Sequence, residues 1–213
     1  MIQQNNHTPI IVGGTGYYVD ALLGRITLPE VKPNSKLRTQ LEKKSVEELF
    51  SQLKKIDPRR AHTIEPTHKR RLIRAIEIAK ALGKNPVPTP QKKYQVLWLG
   101  LCPPLEKLQK NISTRLTNRM RMGMVAEAKR LHAKGLSYRR MEELGLEYRY
   151  LSLLQQKKID RAQFHAELER AIQHYAKRQI RWFRRNSDVH WISGKQEALQ
   201  LTKRFLSRST IAI

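Results

Sequence analysis

The sequence predicts an α/β fold, in which short strands alternate with helices. Three short apolar runs, at residues 10–12, 94–101 and 189–192, have the length and composition of buried strands. The longer segments between them place apolar residues at helical spacing. Strands separated by helices are typical of a sheet covered by helices, and 213 residues are enough to bury a core.

The charge of the chain points to a polyanionic partner. It has 42 Lys and Arg against 18 Asp and Glu, a net charge of +24 and a pI near 10.6. Such an excess repels itself in a folded protein, so nucleic acid is the first candidate partner and an anionic membrane surface the second. No apolar run is long enough to predict a membrane span.

Cysteine usage and the first residues bear on the compartment. The single cysteine, Cys102, excludes an intrachain disulfide and a metal site built from thiolates, and it favours a reducing compartment. Residues 1–12 lack the basic region and the long apolar region of a signal peptide. The expected localisation is therefore cytoplasmic.

Residues 1–30 are predicted to be a core sheet segment. A strand over 10–12 runs into the turn Gly-Gly-Thr-Gly at 13–16, and a helix over 16–23 follows, with Tyr17, Ala21 and Leu22 expected on its buried side and Gly24 as its stop. The turn matches neither G-x-G-x-x-G nor G-x-x-x-x-G-K-[ST]. A plain tight turn and a ligand site both stay open, since ligands of open α/β sheets bind at the carboxyl ends of strands. Thr15 would present a hydroxyl there.

Residues 31–93 are predicted to be a mostly helical insertion. Segment 26–35 contains two prolines and forms a linker or hinge. Ser45 and Glu48 have the spacing of a capping box, and Asp57-Pro58 ends the helix that follows. A helix over 68–83 is expected to bury Leu72, Ile76, Ala79 and Leu82. Residues 84–93 are rich in proline and predicted to be irregular.

Residues 94–213 are predicted to form a core strand and a C-terminal helical region. The strand over 94–101 is expected to be buried and parallel. A helix follows from Pro104 to Gly123, with an apolar stripe that includes Ile112 and Leu116. Further helices are broken at Gly135 and Gly145. Asp160 caps the longest helix, which extends to about residue 185, and a final strand covers 189–192.

The longest helix carries a cationic stripe. Its residues recur at i, i+4, i+7, i+11 and i+14, with no acid among them: Arg170, His174, Lys177, Arg181 and Arg184. Trp182 and Phe183 interleave with cations in the same segment. A solvated basic face is the plain alternative. The lack of acids, and the ability of aromatic and guanidinium planes to stack on bases, favour RNA contact.

Arginines in two other helices are also predicted to have anionic partners. Arg115 lies at the edge of the apolar stripe of its helix, where its charge needs a partner; a structural carboxylate and a phosphate both remain open. Arg70, Arg71 and Arg74 lie in the first turns of the helix over 68–83, where cations oppose the helix dipole, and this favours a bound anion. No histidines pair at metal-ligand spacing, so no metal site made of protein side chains alone is predicted.

The order of these pieces resembles the tRNA dimethylallyltransferase (isopentenyl-diphosphate:tRNA transferase) family. The matching stretches run collinearly over nearly the whole chain: "IIVGGTGYYVDALL" (10–23), "RRLIRAIEIAKALGK" (70–84), "VLWLGLCPP" (96–104), "ISTRLTNRMRMGMVAEAKRL" (112–131), "GLEYRYL" (145–151) and "AKRQIRWFRR" with "VHWI" (176–192). Any one of them alone is weak, but together they are specific.

The resemblance implies a fold, a reaction and partners. The fold is a P-loop-NTPase-like α/β core with a helical insertion that closes on the tRNA anticodon stem-loop. The reaction transfers a dimethylallyl group from dimethylallyl diphosphate to N6 of the adenosine 3′-adjacent to the anticodon, with Mg²⁺ bound together with the diphosphate. The complete protein is expected to be a monomer without membrane contact.

The resemblance also implies site residues. Thr15 would lie beside the target adenosine, and Arg115 would hold the diphosphate of the donor. The residues that would contact tRNA are Arg38, Arg70, Arg71, Arg74, Gly145, Tyr148, Arg149, Lys177, Arg178, Gln179, Arg181, Trp182 and Arg184.

The sequence departs from the family pattern in three places. The family begins with a strand, a phosphate loop and an Asp-Ser turn whose aspartate is the general base, and this sequence starts after them; the expectation is a truncated form whose core lacks its N-terminal part. Arg181 stands where the family usually has threonine, and "GLEYR" is longer than Gly-Tyr-Arg. The alternatives are a non-catalytic basic RNA-binding remnant and an isopentenyltransferase of free adenylates, and the charge favours tRNA over the latter.

Overall fold

The computed structural model of the chain describes residues 7–87 and 94–209. Most of the described residues are helical, and two short strands pair with each other. The chain divides into two compact units, unit 1 over Met1–Gln95 and unit 2 over Val96–Ile213. The three-part division predicted from the sequence stays a prediction.

Unit 1 contains five of the described helices. They are α1 (Gly16–Leu22), α2 (Ser35–Glu42), α3 (Val46–Ile56), α4 (Pro58–Thr63) and α5 (Lys69–Leu82). The predicted capping box is confirmed: Ser45 Oγ accepts from the Glu48 amide, and the Glu48 carboxylate accepts from the Ser45 amide. Gly83 ends α5 with φ +80°, as predicted. Of the irregular segment predicted over 84–93, residues 88–93 lie outside the described residues.

The core of unit 1 is built by α2 to α5. Its buried members come from every one of these helices and from the turn after α4: Leu41, Leu49, Leu53, Ala61, Ile64, Leu72, Ile73, Ala75 and Ile76. The prediction for α5 is confirmed at Leu72, Ile76 and Ala79 but wrong at Leu82, which is 54% exposed at the last turn. The helices therefore pack as a small bundle around one apolar centre.

The first described residues differ from the prediction. Residues 10–12 form no strand, and Ile10 and Val12 are 86% and 90% exposed. In α1, Tyr17 and Leu22 are exposed and Ala21 is half-buried, so the predicted buried side is wrong. A strand needs a neighbour to pair with its amides and carbonyls, and residues 7–87 contain no such strand.

A buried polar contact joins Asn85, which follows α5, to Asp57 at the start of α4. The Asp57 carboxylate, 3% exposed, accepts hydrogen bonds from the Asn85 amide at 2.7 Å and from Asn85 Nδ2 at 3.0 Å. It also accepts from the Arg60 amide, which caps α4. Asn85 Nδ2 donates in addition to the Ala75 carbonyl of α5. Residue 85 is thereby fixed to Asp57 at the start of α4 and to α5.

Unit 2 contains both strands and the other described helices. They are β1 (Trp98–Leu101), α6 (Leu105–Arg121), α7 (Met124–Ala133), α8 (Tyr138–Leu144), α9 (Leu146–Gln155), α10 (Arg161–Phe183), β2 (Val189–Ile192) and α11 (Lys195–Ser209). The predicted breaks at Gly135 and Gly145 and the Asp160 cap of α10 are confirmed. No separate helix was predicted at α11.

The strands of unit 2 are parallel, as predicted. Trp98 pairs with Val189 and Leu101 with Ile192. The prediction is wrong in two respects: β1 covers only the second half of residues 94–101, and it is not fully buried, since Leu101 is 71% exposed. The described residues add no third strand, so β1 has a neighbour on one edge only.

The core of unit 2 lies among α6 to α10. Its buried members are Leu116, Met124, Ala128, Met141, Leu151, Phe164 and Leu168. Gly123, Gly135 and Gly145 have φ values of +92°, +100° and +132°, which glycine adopts most readily, and they make the sharp connections between α6, α7, α8 and α9. Among the described helices, none is both long and apolar enough to cross a membrane.

We expect Asp57→Ala to destabilise unit 1 by about 3 kcal/mol, because it leaves the buried backbone amide of Asn85 without an acceptor, removes one of the two acceptors of Asn85 Nδ2 and removes the α4 cap. Ser45→Ala is the matched control, since it removes an exposed cap in the same unit and should cost about 1 kcal/mol. Amide hydrogen exchange of α3 to α5, read by mass spectrometry, measures both changes. Equal losses in the two variants would contradict the role of the buried contact.

Candidate functional site

Thr15 borders an apolar hollow in unit 1. The hollow has a volume of about 260 Å³ and is lined by residues 11–15 and by Tyr18, Val19 and Leu22. The Thr15 carbonyl accepts from the amides at the start of α1, but its hydroxyl makes no hydrogen bond to any residue within 7–87. The side chain is exposed. A hydroxyl at the edge of an apolar hollow can donate to or accept from a bound ligand.

The glycines before Thr15 are not required by the backbone. Neither Gly13 nor Gly14 has a positive φ. A Cβ added at Gly13 would meet no atom within 4 Å. Open space in front of a glycine lets another molecule approach the main chain closely. The same open space is found at Gly83 and at Gly135, so it separates neither a ligand site from a plain turn nor the reverse, and both interpretations of this turn stay open.

Arg38 and Arg74 bind a buried carboxylate. Glu77 lies in the middle of α5 and is 2% exposed. Arg38 donates from Nε to Oε1 at 3.0 Å and from Nη2 to Oε2 at 2.8 Å, and the Asn34 amide donates to Oε1 at 2.6 Å. Arg74 donates to Oε2 from Nη1 and to the Val31 carbonyl from Nη2 at 2.9 Å. The carboxylate thus ties segment 31–34 and α2 to α5.

These contacts dominate the titration of Glu77. Burial alone would raise its pKa, but the hydrogen bonds from Arg38, from the Asn34 amide and from Arg74 outweigh it and lower the pKa to about 2. Two of the arginines predicted to contact tRNA therefore already serve a structural carboxylate. Arg70 and Arg71 remain exposed on the same helix; Arg71 makes a loose pair with Glu65 at 3.4 Å.

In unit 2, Arg115 and Arg119 share one carboxylate. They lie one turn apart on α6 and face Glu147 in the first turn of α9. Arg119 donates a hydrogen bond to Glu147 Oε2, whereas Arg115 Nη1 is 3.6 Å from Oε1, too long for a hydrogen bond. The Arg115 side chain is 62% exposed. A structural carboxylate is thus present, and Arg115 is only partly engaged by it.

The turn before α9 positions this carboxylate. Gly145 has φ +132° and brings α9 in immediately after α8. Tyr148 donates a hydrogen bond to Glu127 Oε1 of α7 at 2.8 Å, and this bond, together with burial, raises the pKa of the Tyr148 hydroxyl. Arg149 is exposed. The first turn of α9 is therefore joined to α6 through Glu147 and to α7 through Tyr148.

The cationic stripe of α10 is on the surface, as predicted. All five members are exposed: Arg170, His174, Lys177, Arg181 and Arg184. None of them pairs with a carboxylate within residues 7–87 and 94–209. Arg178 lies over the Tyr175 ring at 5.5 Å and Arg185 over the Trp182 ring at 5.7 Å, while Gln179 and Trp182 are half-buried. The C-terminal half of α10 thus offers unneutralised cations beside aromatic rings.

Sequence reasoning missed the carboxylates. Glu77 interrupts the apolar run of α5 between Ile76 and Ile78, a position that signals a buried ion pair. Glu147 belongs to "GLEYR", the stretch that is longer than the family pattern, and its unusual length was the available signal. Among the described residues, no group of three metal-ligating side chains is close enough to hold a metal ion.

A scan against known families gives a clear result. Residues 1–186 match the model of the family described as IPP transferase. This chain belongs to that family. It is 34% identical to tRNA dimethylallyltransferase 1 of Geotalea uraniireducens, with 99% of the chain and 71% of the relative aligned. It is 36% identical to tRNA dimethylallyltransferase 2 of Citrifermentans bemidjiense, with 94% and 66% aligned.

Solved structures agree with this assignment. The tRNA isopentenylpyrophosphate transferase of Bacillus halodurans matches with a TM-score of 0.62 at 27% identity, over 98% of this chain and 68% of that one. A eukaryotic dimethylallyltransferase acting on tRNA matches with a TM-score of 0.80 at 22% identity, over 97% of this chain and 59% of that one. At this identity the match shows the fold alone. The chain spans about two thirds of the length of the curated relatives it matches.

Acid should lower the stability of unit 1, because it protonates the Glu77 carboxylate. Its pKa is lower in the folded protein than in the unfolded chain, so the stabilisation is complete above the unfolded value of 4.5 and is lost as the pH falls towards 2. We expect the free energy of unfolding of unit 1 to fall by about 3 kcal/mol over that range. Glu77→Gln should be less stable at neutral pH and should show a flatter pH profile.

Hydrogen exchange of α2 and α5 is the suitable measurement, because Trp98, Trp182 and Trp191 all lie in unit 2 and tryptophan fluorescence would not report on unit 1. Glu42→Gln serves as control, since that carboxylate is exposed at the end of α2. A pH profile of Glu77→Gln that coincides with that of the unmodified protein would contradict the assignment.

Proposed function

We propose that this chain acts in tRNA prenylation, transferring a dimethylallyl group from dimethylallyl diphosphate to N6 of the adenosine 3′-adjacent to the anticodon. The observation that carries the proposal is the exposed, acid-free cationic face of α10 in a member of the IPP transferase family. Relatives of this chain are named tRNA dimethylallyltransferases. A net charge of +24 suits a substrate with a phosphate backbone.

The reaction needs a cationic site for its leaving group. The N6 amine attacks the allylic C1 carbon, a C–N bond forms as the C–O bond to diphosphate breaks, and the N6 proton then passes to water. Negative charge develops on the diphosphate as it leaves, and fixed cations stabilise it. Arg115 is suited to this task, because its guanidinium is exposed and only loosely paired.

Mg²⁺ fits this scheme as an ion carried by the donor. The described residues offer no cluster of three protein ligands, and Mg²⁺ is commonly held by substrate phosphates together with one or two carboxylates. When bound, it neutralises charge on the diphosphate. The chain's own residues would then bind the magnesium diphosphate through guanidiniums.

The tRNA would lie along α10. Exposed cations of the stripe follow the phosphates, and the rings of Tyr175 and Trp182, each with an arginine over it, offer stacking surfaces for unpaired bases. An adenine can be modified at N6 only once it leaves the base stack. The apolar hollow beside Thr15 has the chemistry to receive such a base or the prenyl group, with the hydroxyl available for a hydrogen bond.

A second function is RNA binding without catalysis. One observation favours it: the cations of the α10 stripe are exposed and pair with no carboxylate among the described residues, which is sufficient for RNA binding without any chemistry. Incubation of the purified chain with unmodified tRNA and labelled dimethylallyl diphosphate separates the two. Label on the anticodon-adjacent adenosine supports prenylation. Salt-sensitive binding of tRNA with no label supports the RNA-binding function.

Removal of cations from α10 should weaken tRNA binding in a salt-dependent manner. For the double variant Arg181→Ala/Arg184→Ala we expect the slope of log affinity against log salt to fall by about 2, one for each lost phosphate contact. Arg161→Ala is the matched control, an exposed arginine about 30 Å away at the other end of the same helix. Filter binding at several salt concentrations measures the slopes; equal slopes in control and double variant would refute the tRNA path.

Thr15→Ala should slow transfer without weakening tRNA binding. The hydroxyl makes no structural hydrogen bond within the described part of unit 1, so its loss should leave the fold intact. We expect single-turnover transfer to fall about tenfold or more, because one hydrogen bond at the reacting group is lost. Thr15→Ser should retain most of the rate. A loss of tRNA affinity as large as the loss of rate would place Thr15 away from the chemistry.

A further inference from the structure

Glu147 engages its two arginines unequally. Arg119, 33% exposed, donates a hydrogen bond to Oε2. Arg115, 62% exposed, approaches Oε1 only to 3.6 Å, as an ion pair without a hydrogen bond. The carboxylate is therefore anchored through one guanidinium and only electrostatically attractive to the other.

The position of the carboxylate is fixed by the fold rather than by Arg115. Glu147 is in the first turn of α9, and the neighbouring Tyr148 is bonded to Glu127 of α7. The φ of +132° at Gly145 sets the direction in which α9 begins. If Arg115 turned away, Glu147 would keep its hydrogen bond to Arg119 and its place on α9.

We propose that Glu147 is an internal competitor for the diphosphate, holding the Arg115 guanidinium until the donor displaces it and so setting the affinity for the donor. The natural anion in this inference rests on the proposed function. Glu147 does not touch the reacting atoms; it acts through Arg115.

The exchange is chemically simple. A guanidinium binds carboxylate and phosphate oxygens with the same fork of N–H donors, so the two anions compete for the same group. Releasing Arg115 from Glu147 breaks no hydrogen bond, and an ion pair this exposed is weak. A magnesium diphosphate offers more acceptor oxygens than one carboxylate. Arg115 and Arg119 are i,i+4 neighbours of like charge, so an anion is needed there in either state.

The experiment measures binding of magnesium diphosphate to the full chain by titration calorimetry. We expect Glu147→Gln to lower the Kd about fivefold, since the amide can still accept from Arg119 but no longer attracts Arg115 as a charge. Glu143→Gln is the matched control: it also removes one carboxylate that pairs with two exposed arginines in unit 2, Arg139 and Arg140, and it should change the Kd less than twofold.

Arg115→Ala completes the test. It should weaken binding, and in Arg115→Ala/Glu147→Gln the gain from the second change should vanish, because the carboxylate acts through that guanidinium. A purely structural role for Glu147 predicts weaker binding in Glu147→Gln. Thermal unfolding followed by tryptophan fluorescence monitors the fold of unit 2, and all titrations are run at a temperature at which each variant is folded.

Four outcomes overturn the inference: no gain beyond that of Glu143→Gln, weaker binding, a gain that persists without Arg115, or no diphosphate binding by any variant. The proposed function is tested separately by label transfer to tRNA. Transfer with an unchanged Kd in Glu147→Gln would refute the competitor alone. Tighter diphosphate binding by that variant, with no label on tRNA, would refute prenylation alone.

Discussion

The Glu77 carboxylate holds two guanidiniums and a backbone amide inside unit 1. In a chain with 42 Lys and Arg and 18 Asp and Glu, such contacts are scarce. An unpaired buried carboxylate is costly, and so is a row of arginines without an anion. The arrangement around Glu77 meets both constraints at once, and it joins the segment before α2 to α5, the helix that contributes more residues to the core of unit 1 than any other.

Unit 2 uses its carboxylates differently. Glu147, in the first turn of α9, accepts a hydrogen bond from Arg119 of α6 and approaches Arg115 of the same helix only to 3.6 Å. The cationic stripe of α10 receives no carboxylate at all within the described residues. Described cations therefore serve different purposes. Arg38, Arg74 and Arg119 hold segments of the fold together through Glu77 and Glu147, while the α10 stripe, which pairs with no described carboxylate, suits the phosphates of the proposed nucleic-acid partner.

Local signals accounted for most of the helices. The capping boxes at Ser45 and Asp160, the Asp57-Pro58 break and the glycines at 83, 135 and 145 act within one or two turns of chain, and the structure has each of them where the sequence places it. Strands were predicted less well. The strand predicted over 10–12 is absent, and β1 is shorter and more exposed than expected, because a strand depends on neighbours that the local sequence does not specify.

The sequence by itself determined several helix caps and breaks, the cationic stripe of α10 and, through its collinear motifs, the family, but it did not predict α11. It could not determine which arginine meets which carboxylate. Arg38 and Glu77 are 39 residues apart, and Arg119 and Glu147 are 28 apart, so their pairing follows from how the helices pack within each unit. Arg74 lies three residues before Glu77 on α5, a pairing that helical spacing already permits. The tertiary structure alone decided that Arg38 supports the fold while Arg115 stays largely exposed, because charge pairing over long separations is a property of packed surfaces and not of sequence spacing.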